Sequence, residues 1–377
     1  GGPTVYVCDC QPGADDDCLA GRDESDGALP EGAWRTLGRV NQALETRDLL
    51  PGTTIRLCKG GAFAGPLHLR GGFNCTADTP CMVASYETNG SQTKPEIVGS
   101  IIATHAFRDP DLMGFGLDGI SVRSGPDSVA IRVGHGAANV QFAHLSVSQS
   151  AAGIHIGDSS LCVREQCQSP QFIGVRDSEF TDLQNEGVRL TGTAISLMRN
   201  QFIGNGHGLD ERSQIHMDCD SELCRDIVVD GNRLSASAFG GQRRCNSPEI
   251  FVHGAATHLR FVANQIEQRG DLVDSTCGGI VLARGSSRTL FQDVFIQRNR
   301  IVQPGRSPIE VSSCQRCLIE NNAISFDNSN FVIAINVPRR RGDGVNHAFV
   351  QDAIVKHNSI YIGERALFTA IAIKVAG

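Results

Sequence analysis

Four residues carry the chemistry that this chain is expected to do: Arg189, His216, Asp218 and His253. A guanidinium grips a carboxylate through two parallel hydrogen bonds. An imidazole titrates near neutrality and can accept or return a proton. Together they suit removal of a proton from a carbon next to a carboxylate. Arg189 would neutralise the acid, His216 would take the proton, His253 would assist the leaving oxygen and Asp218 would orient an imidazole. The same set would serve removal and return of a proton at one carbon. His216, Asp218 and His253 can also be read as ligands of a divalent metal, with His155 or Glu249 helping. Hydrolysis of a glycosidic bond needs two carboxyls about 5 to 9.5 Å apart, and Asp218, Glu249 and Glu310 are the candidates.

These side chains can meet only if strands stack in register. The stretch SQIHMDCDSELC, residues 213–224, alternates apolar and polar residues, so Ile215 and Met217 share one face and His216 and Asp218 the other. Beyond about residue 128 a unit recurs: a short alternating strand, a turn, a second strand ending at Asn, and a third short strand. AISLMRNQFIG, DIVVDGNRLSA, LRFVANQIEQ, VFIQRNRIVQ, CLIENNAISF and AIVKHNSIYI show its last two parts. No helical period intervenes, so a parallel β-helix is predicted, with Asn side chains bonding from coil to coil. The inward pairs are Ile131/Val133, Ile154/Ile156, Val188/Leu190, Ile215/Met217, Ile250/Val252, Ile280/Leu282, Ile309/Val311 and Ile333/Ile335.

Between those pairs an outward column then reads Arg132, His155, Arg189, His216, Phe251, Val281, Glu310, Ala334. The column after it includes Asp218, His253 and Asn336, and the one before it Gln214 and Glu249. Arg132, His155, Gln214, Glu249, Phe251 and Glu310 are therefore expected to line a binding surface around the four central residues. A one-residue slip would bury these polar groups in a narrow core, which disfavours it.

Composition narrows the partners. The formal net charge is −7 and no basic block suggests a nucleic-acid footprint. No apolar run is long enough to span a membrane. Lysine is confined to Lys59, Lys94, Lys356 and Lys374, so arginine dominates the cations, which suits an acidic ligand. The 14 cysteines include the close pairs Cys75/Cys81, Cys162/Cys167, Cys219/Cys224 and Cys314/Cys317, with Cys245 and Cys277 placed to bridge adjacent coils. Disulfides, and hence a secreted or periplasmic protein, are expected, and the chain reads as a mature form.

Residues 1–50 read as an N-terminal cap on the solenoid of 51–377, the two forming one continuous domain. Cys8, Cys10 and Cys18 lie in an Asp- and Gly-rich loop, whose Asp15–Asp17 are taken as solvated charge. Trp34, Leu37, Val40 and Leu44 follow at helical spacing, giving a helix that covers the first coil. AWRTL…LLPGTTIRLCKGGAF, followed by PCMVASYETN…KPEIVGS, resembles the opening of right-handed parallel β-helix proteins of the pectin-lyase-like superfamily over residues 30–377. That group contains polysaccharide lyases, uronate epimerases, polygalacturonase-type hydrolases and phage tailspikes. The resemblance implies an all-β fold and an acidic polysaccharide as partner. Asp109-Pro110-Asp111 lacks the His of the epimerases' Asp-Pro-His-Asp motif. Gly134-His135-Gly136 and Gly206-His207-Gly208 match a polygalacturonase motif without its other parts. Elimination on a uronate-containing polysaccharide, without a cofactor, is the expected activity. Hydrolysis, epimerisation and non-catalytic glycan binding stay open.

Overall fold

The computed structural model describes residues 2–46, 48–70, 75–88, 90–104, 114–161, 169–206, 213–235, 247–268, 277–283, 291–328, 331–339, 350–366 and 370–375. They form right-handed parallel β-helical coils, in two compact units, Gly1–Glu179 and Phe180–Gly377.

In the first unit the stack begins earlier than the sequence suggests. Thr4–Val7 pairs in parallel with Thr54–Cys58, so one strand precedes the capping helix. The helix spans Leu37–Thr46 and buries Leu37, Val40, Ala43 and Leu44. Trp34 stands outside it, buried, with its indole N–H donating to Ser25 O at 2.9 Å. Thr36 Oγ1 caps the helix by accepting from Arg39 N at 3.1 Å. Asn41 then pins the helix to the coil below, donating to Pro66 O at 2.8 Å and accepting from His68 N at 2.9 Å. Nearby acidic side chains have structural work: Asp23 accepts from Arg35 N and Thr36 N, and Asp15 from Ser91 Oγ. Cys8–Cys58, Cys10–Cys18 and Cys75–Cys81 are disulfides.

In the second unit the Asn residues do stack. Asn200, Asn232, Asn264, Asn299 and Asn322 each donate Nδ2 to the next Oδ1 at 2.9–3.0 Å, the last to Asn358. The same Oδ1 accepts the backbone N–H of the preceding Asn, so each rung carries two bonds. The residue before each Asn is left-handed: Arg199, Gly231, Ala263, Arg298, Asn321 and His357 have φ of 52–65°. For a non-glycine residue this costs on the order of 1–2 kcal/mol, which the paired ladder bonds offset. Phe202, Leu234, Ile266, Ile301 and Ile324 stack behind the ladder, all buried.

Seven of the eight inward pairs are buried as expected. The last is shifted by two residues: Ile309 pairs with Ile335 and Glu310 with Asn336, while Ala334 is buried rather than outward. The cysteines divide. Cys219–Cys224 is a disulfide, and Cys277 is bonded. Cys245, Cys162 and Cys167 lie outside the described residues, as do Asp109–Asp111 and His207. Cys314 and Cys317 are free, buried thiols, contrary to expectation. Cys219 and Cys224 face Gly254 and Ala256, so the chain between them loops out and returns with Cα atoms 5.4 Å apart. Cys314 and Cys317 face Phe291 and Val294, three residues against three, with no such excursion. The hydrogen bond with Cys314 and burial push the Cys317 thiol up, which leaves it inert.

Candidate functional site

Three strands of the second unit build the site: Val188–Leu190, Ile215–Asp230 and Ile250–Val262. Their register sets Arg189 beside His216 and His216 beside Phe251, with Asp218 beside His253. Val188, Ile215 and Ile250 are fully buried on the opposite face, so alternation forces these polar groups outward.

Arg189 Nη2 donates to Asp218 Oδ2 at 2.7 Å. Asp218 was expected to orient an imidazole; its bond to Arg189 adds a second task, holding the guanidinium. The reason is reach: Asp218 lies one coil along and two residues past the level of Arg189, and a long arginine spans that diagonal. Both side chains keep over a third of their surface, 39% and 34%. The His216 ring meets Phe251 edge-on, with centroids 5.3 Å apart, and Phe251 in turn lies against His253 at 5.8 Å. Burial lowers the His216 pKa below 6.5; Glu186 opposes this, Arg189 and His253 reinforce it, and Asp218 also opposes. The imidazole is therefore neutral at neutral pH, as a base must be.

Other expected residues fall elsewhere. Gln214 is buried, its Oε1 accepting from Asn205 Nδ2 at 2.7 Å. Glu249 is buried too, and burial pushes its carboxyl up to about 8 against hydrogen bonds with Gln268 and Gln214. Its Oε2 has no hydrogen-bond partner among the described residues. Glu310 is buried among Ser307, Ser312 and Asn336, whose Nδ2 donates to it at 3.1 Å. These three do not form an open binding surface. Gln214 and Glu249 sit in the turns that precede their strands, where outward alternation has not begun. Arg132 and His155 lie in the first unit, paired in register. There Arg132 Nε donates to Asp158 Oδ2 at 2.7 Å, and Arg132 also bonds Ser160.

Two participants were missed. Glu186 is buried and its charge acts on His216; it stands in the turn before Val188, outside the alternating stretch. Asp158 was also missed, although GIHIGD at 153–158 repeats the Ile-His-apolar pattern of QIHMD at 214–218. Among the described residues, ligand atoms of His216, Asp218 and His253 do not cluster within 4.8 Å, and the only group that does is the disulfide-bonded Cys8, Cys10 and Cys18. A three-ligand metal set at the candidate site therefore does not close in this geometry.

No family model and no curated protein matches the chain. Solved structures do. A GH136 lacto-N-biosidase from Eubacterium ramulus is 12% identical, with a TM-score of 0.57 over 96% of this chain and 68% of that one. A pectate lyase is 12% identical, with a TM-score of 0.53 over 95% and 80%. The A-module of a mannuronan C-5 epimerase from Azotobacter vinelandii is 14% identical, with a TM-score of 0.50 over 90% and 95%. Such distant likenesses speak to architecture alone. With the stacked parallel strands they establish that the chain has a right-handed parallel β-helix fold.

Proposed function

We propose that this protein is a polysaccharide lyase that acts by β-elimination on a uronate-containing polysaccharide. The observation that carries the reading is a neutral, half-buried His216 beside the Arg189 guanidinium on one outward column. Asp218 fixes one arm of Arg189, and the remaining N–H donors of the fork are suited to a substrate carboxylate. That contact stabilises the negative charge that develops when His216 removes the proton from the adjacent carbon. A carbon–carbon double bond forms as the carbon–oxygen bond to the next sugar breaks. The leaving oxygen takes a proton from His253. Phe251, between the two imidazoles, keeps water from the base and offers a face to the sugar. An acidic polysaccharide is the partner. The disulfides support a secreted or periplasmic location.

Hydrolysis fits less well, because Glu249 and Glu310, the partners that Asp218 would need, are buried. Epimerisation would use the same groups, with the proton returned. The test is incubation with alginate, pectate, glucuronan and glycosaminoglycans, followed by ultraviolet absorbance of the unsaturated uronate. Absorbance that rises on one polymer supports elimination. New reducing ends without absorbance would assign hydrolysis, and no cleavage of any polymer would overturn the lyase reading.

A further inference from the structure

A groove of about 380 Å³ lies in the first unit on the second strands of its coils, whereas Arg132 and His155 lie on first strands. Arg56, Ala84, Ser85, Asp118, Gly119 and His144 line it. Its shape follows from register. Arg56 pairs with Ala84, and Ala84 with Asp118, so the three stand on one outward column. Coils repeat about every 4.8 Å, which sets Arg56 and Asp118 about 10 Å apart along the sheet. Ala84, between them, contributes only a methyl group and leaves the space open. Gly119 keeps the far side open. It is left-handed, with φ of 69°, and a Cβ there would come 3.0 Å from Ser85 Oγ.

The two ends of the groove differ in chemistry. Arg56 Nη1 donates to Ser85 O at 3.0 Å, and among the described residues no carboxylate pairs with this guanidinium. Arg123 and Arg132 of the same unit are each neutralised, by Glu96 and Asp158. At the other end His144 Nδ1 and Asp118 Oδ1 are 2.7 Å apart. This leaves His144 Nε2 and Asp118 Oδ2 without hydrogen-bond partners among the described residues. An anion is favoured at Arg56, hydroxyl groups are favoured at the dyad, and the Asp118 charge repels a second negative group. A dianion such as phosphate is disfavoured, and a neutral sugar leaves the guanidinium unused. A ring with one carboxylate and several hydroxyls fits both ends.

We propose that this groove binds a single uronate residue, its carboxylate on Arg56 and its hydroxyls on Asp118 and His144. The proposal does not depend on elimination chemistry at His216. The experiment titrates sodium glucuronate into the full-length, ¹⁵N-labelled protein and follows the Ala84 and Gly119 amides, with glucose and inorganic phosphate as parallel probes. Glucuronate should shift both amides, and glucose should bind at least about tenfold more weakly, the effect of losing a charged hydrogen bond. Arg56→Gln should weaken glucuronate by a similar factor. Ala84→Leu, which fills the space and keeps both charged ends, should remove the shifts. His216→Ala should leave them intact, so failure of the lyase reading does not touch this one. Silent Ala84 and Gly119 amides, equal affinity for glucose or phosphate, or undiminished binding in Ala84→Leu would overturn the proposal.

Discussion

Each unit holds an arginine that reaches an aspartate in the next coil, just past a histidine: Arg132, His155 and Asp158 in the first, Arg189, His216 and Asp218 in the second. The surroundings set them apart. Ser160 bonds both Arg132 and Asp158, and the aspartate side chain keeps only 14% of its surface, against 34% for Asp218. Burial pushes Asp158 up, but the hydrogen bonds from Arg132 and Ser160 outweigh it and hold the carboxyl below its ordinary value. That pair is a closed structural bond. Among the described residues no serine bonds Arg189, and the neighbours are a neutral imidazole and an aromatic ring. Residue types alone do not make a site; what saturates them decides.

The sharpest test of that contrast removes one histidine from each unit. His216→Ala should lower turnover on the cleaved polymer by about 10²- to 10⁴-fold, the usual worth of a general base. His155→Ala should leave turnover near the parent rate. Equal losses in both would erase the distinction.

Arginine replacements come next. Arg189→Lys should reduce kcat/KM about tenfold to a hundredfold, because an ammonium cannot hold Asp218 and a substrate carboxylate with one planar fork. Arg132→Lys should instead cost about 1 kcal/mol of stability, read by urea unfolding, with kcat/KM little changed.

A third test uses Glu249, buried in the second unit. Its pKa of about 8 in the fold stands above the ordinary 4.5. The unfolded chain therefore releases this proton first, so stability should fall as pH rises from about 4.5 and level off past about 8. Glu249→Gln should flatten that slope and stabilise the protein at pH 8 by about 1–3 kcal/mol. A wild-type unfolding profile flat across this window would show that Glu249 is ionised in the fold.

The smallest effect is a displaced acid limb. The His216 pKa is lowered from 6.5, so kcat/KM should hold its value as pH falls to 6.5 and decline only below it. Folding stability should also fall below pH 6.5, since the unfolded chain takes up this proton first.

Much of the architecture was readable because strand alternation and the Asn spacing are backbone requirements that leave a mark in residue order. Ile215/Met217 and Ile250/Val252 fixed the facing of His216 and His253 in this way. The slip at Ile335 was silent, because a shift of two residues preserves alternation and the apolar pattern reads the same either way. Gln214 and Glu249 lie where a turn enters a strand, and no periodicity governs their direction. The Arg189–Asp218 bond depends on a side-chain diagonal across coils, and Cys314 and Cys317 on whether the chain loops out, neither of which spacing reveals.

The Asn ladder has a consequence for how such a chain can change. Successive rungs are separated by 32, 32, 35, 23 and 36 residues, yet every Asn returns to the same bonded station. Insertions and deletions between rungs are thus accommodated in the loops that join the strands, while the strands and the Asn corner keep their register. The ladder acts as a hinge pin, and all growth in length is exported to the other corners, where loops can lengthen beside Arg189 and His216 without moving the strands that aim them. New substrate preferences could therefore arise by changing loop length alone.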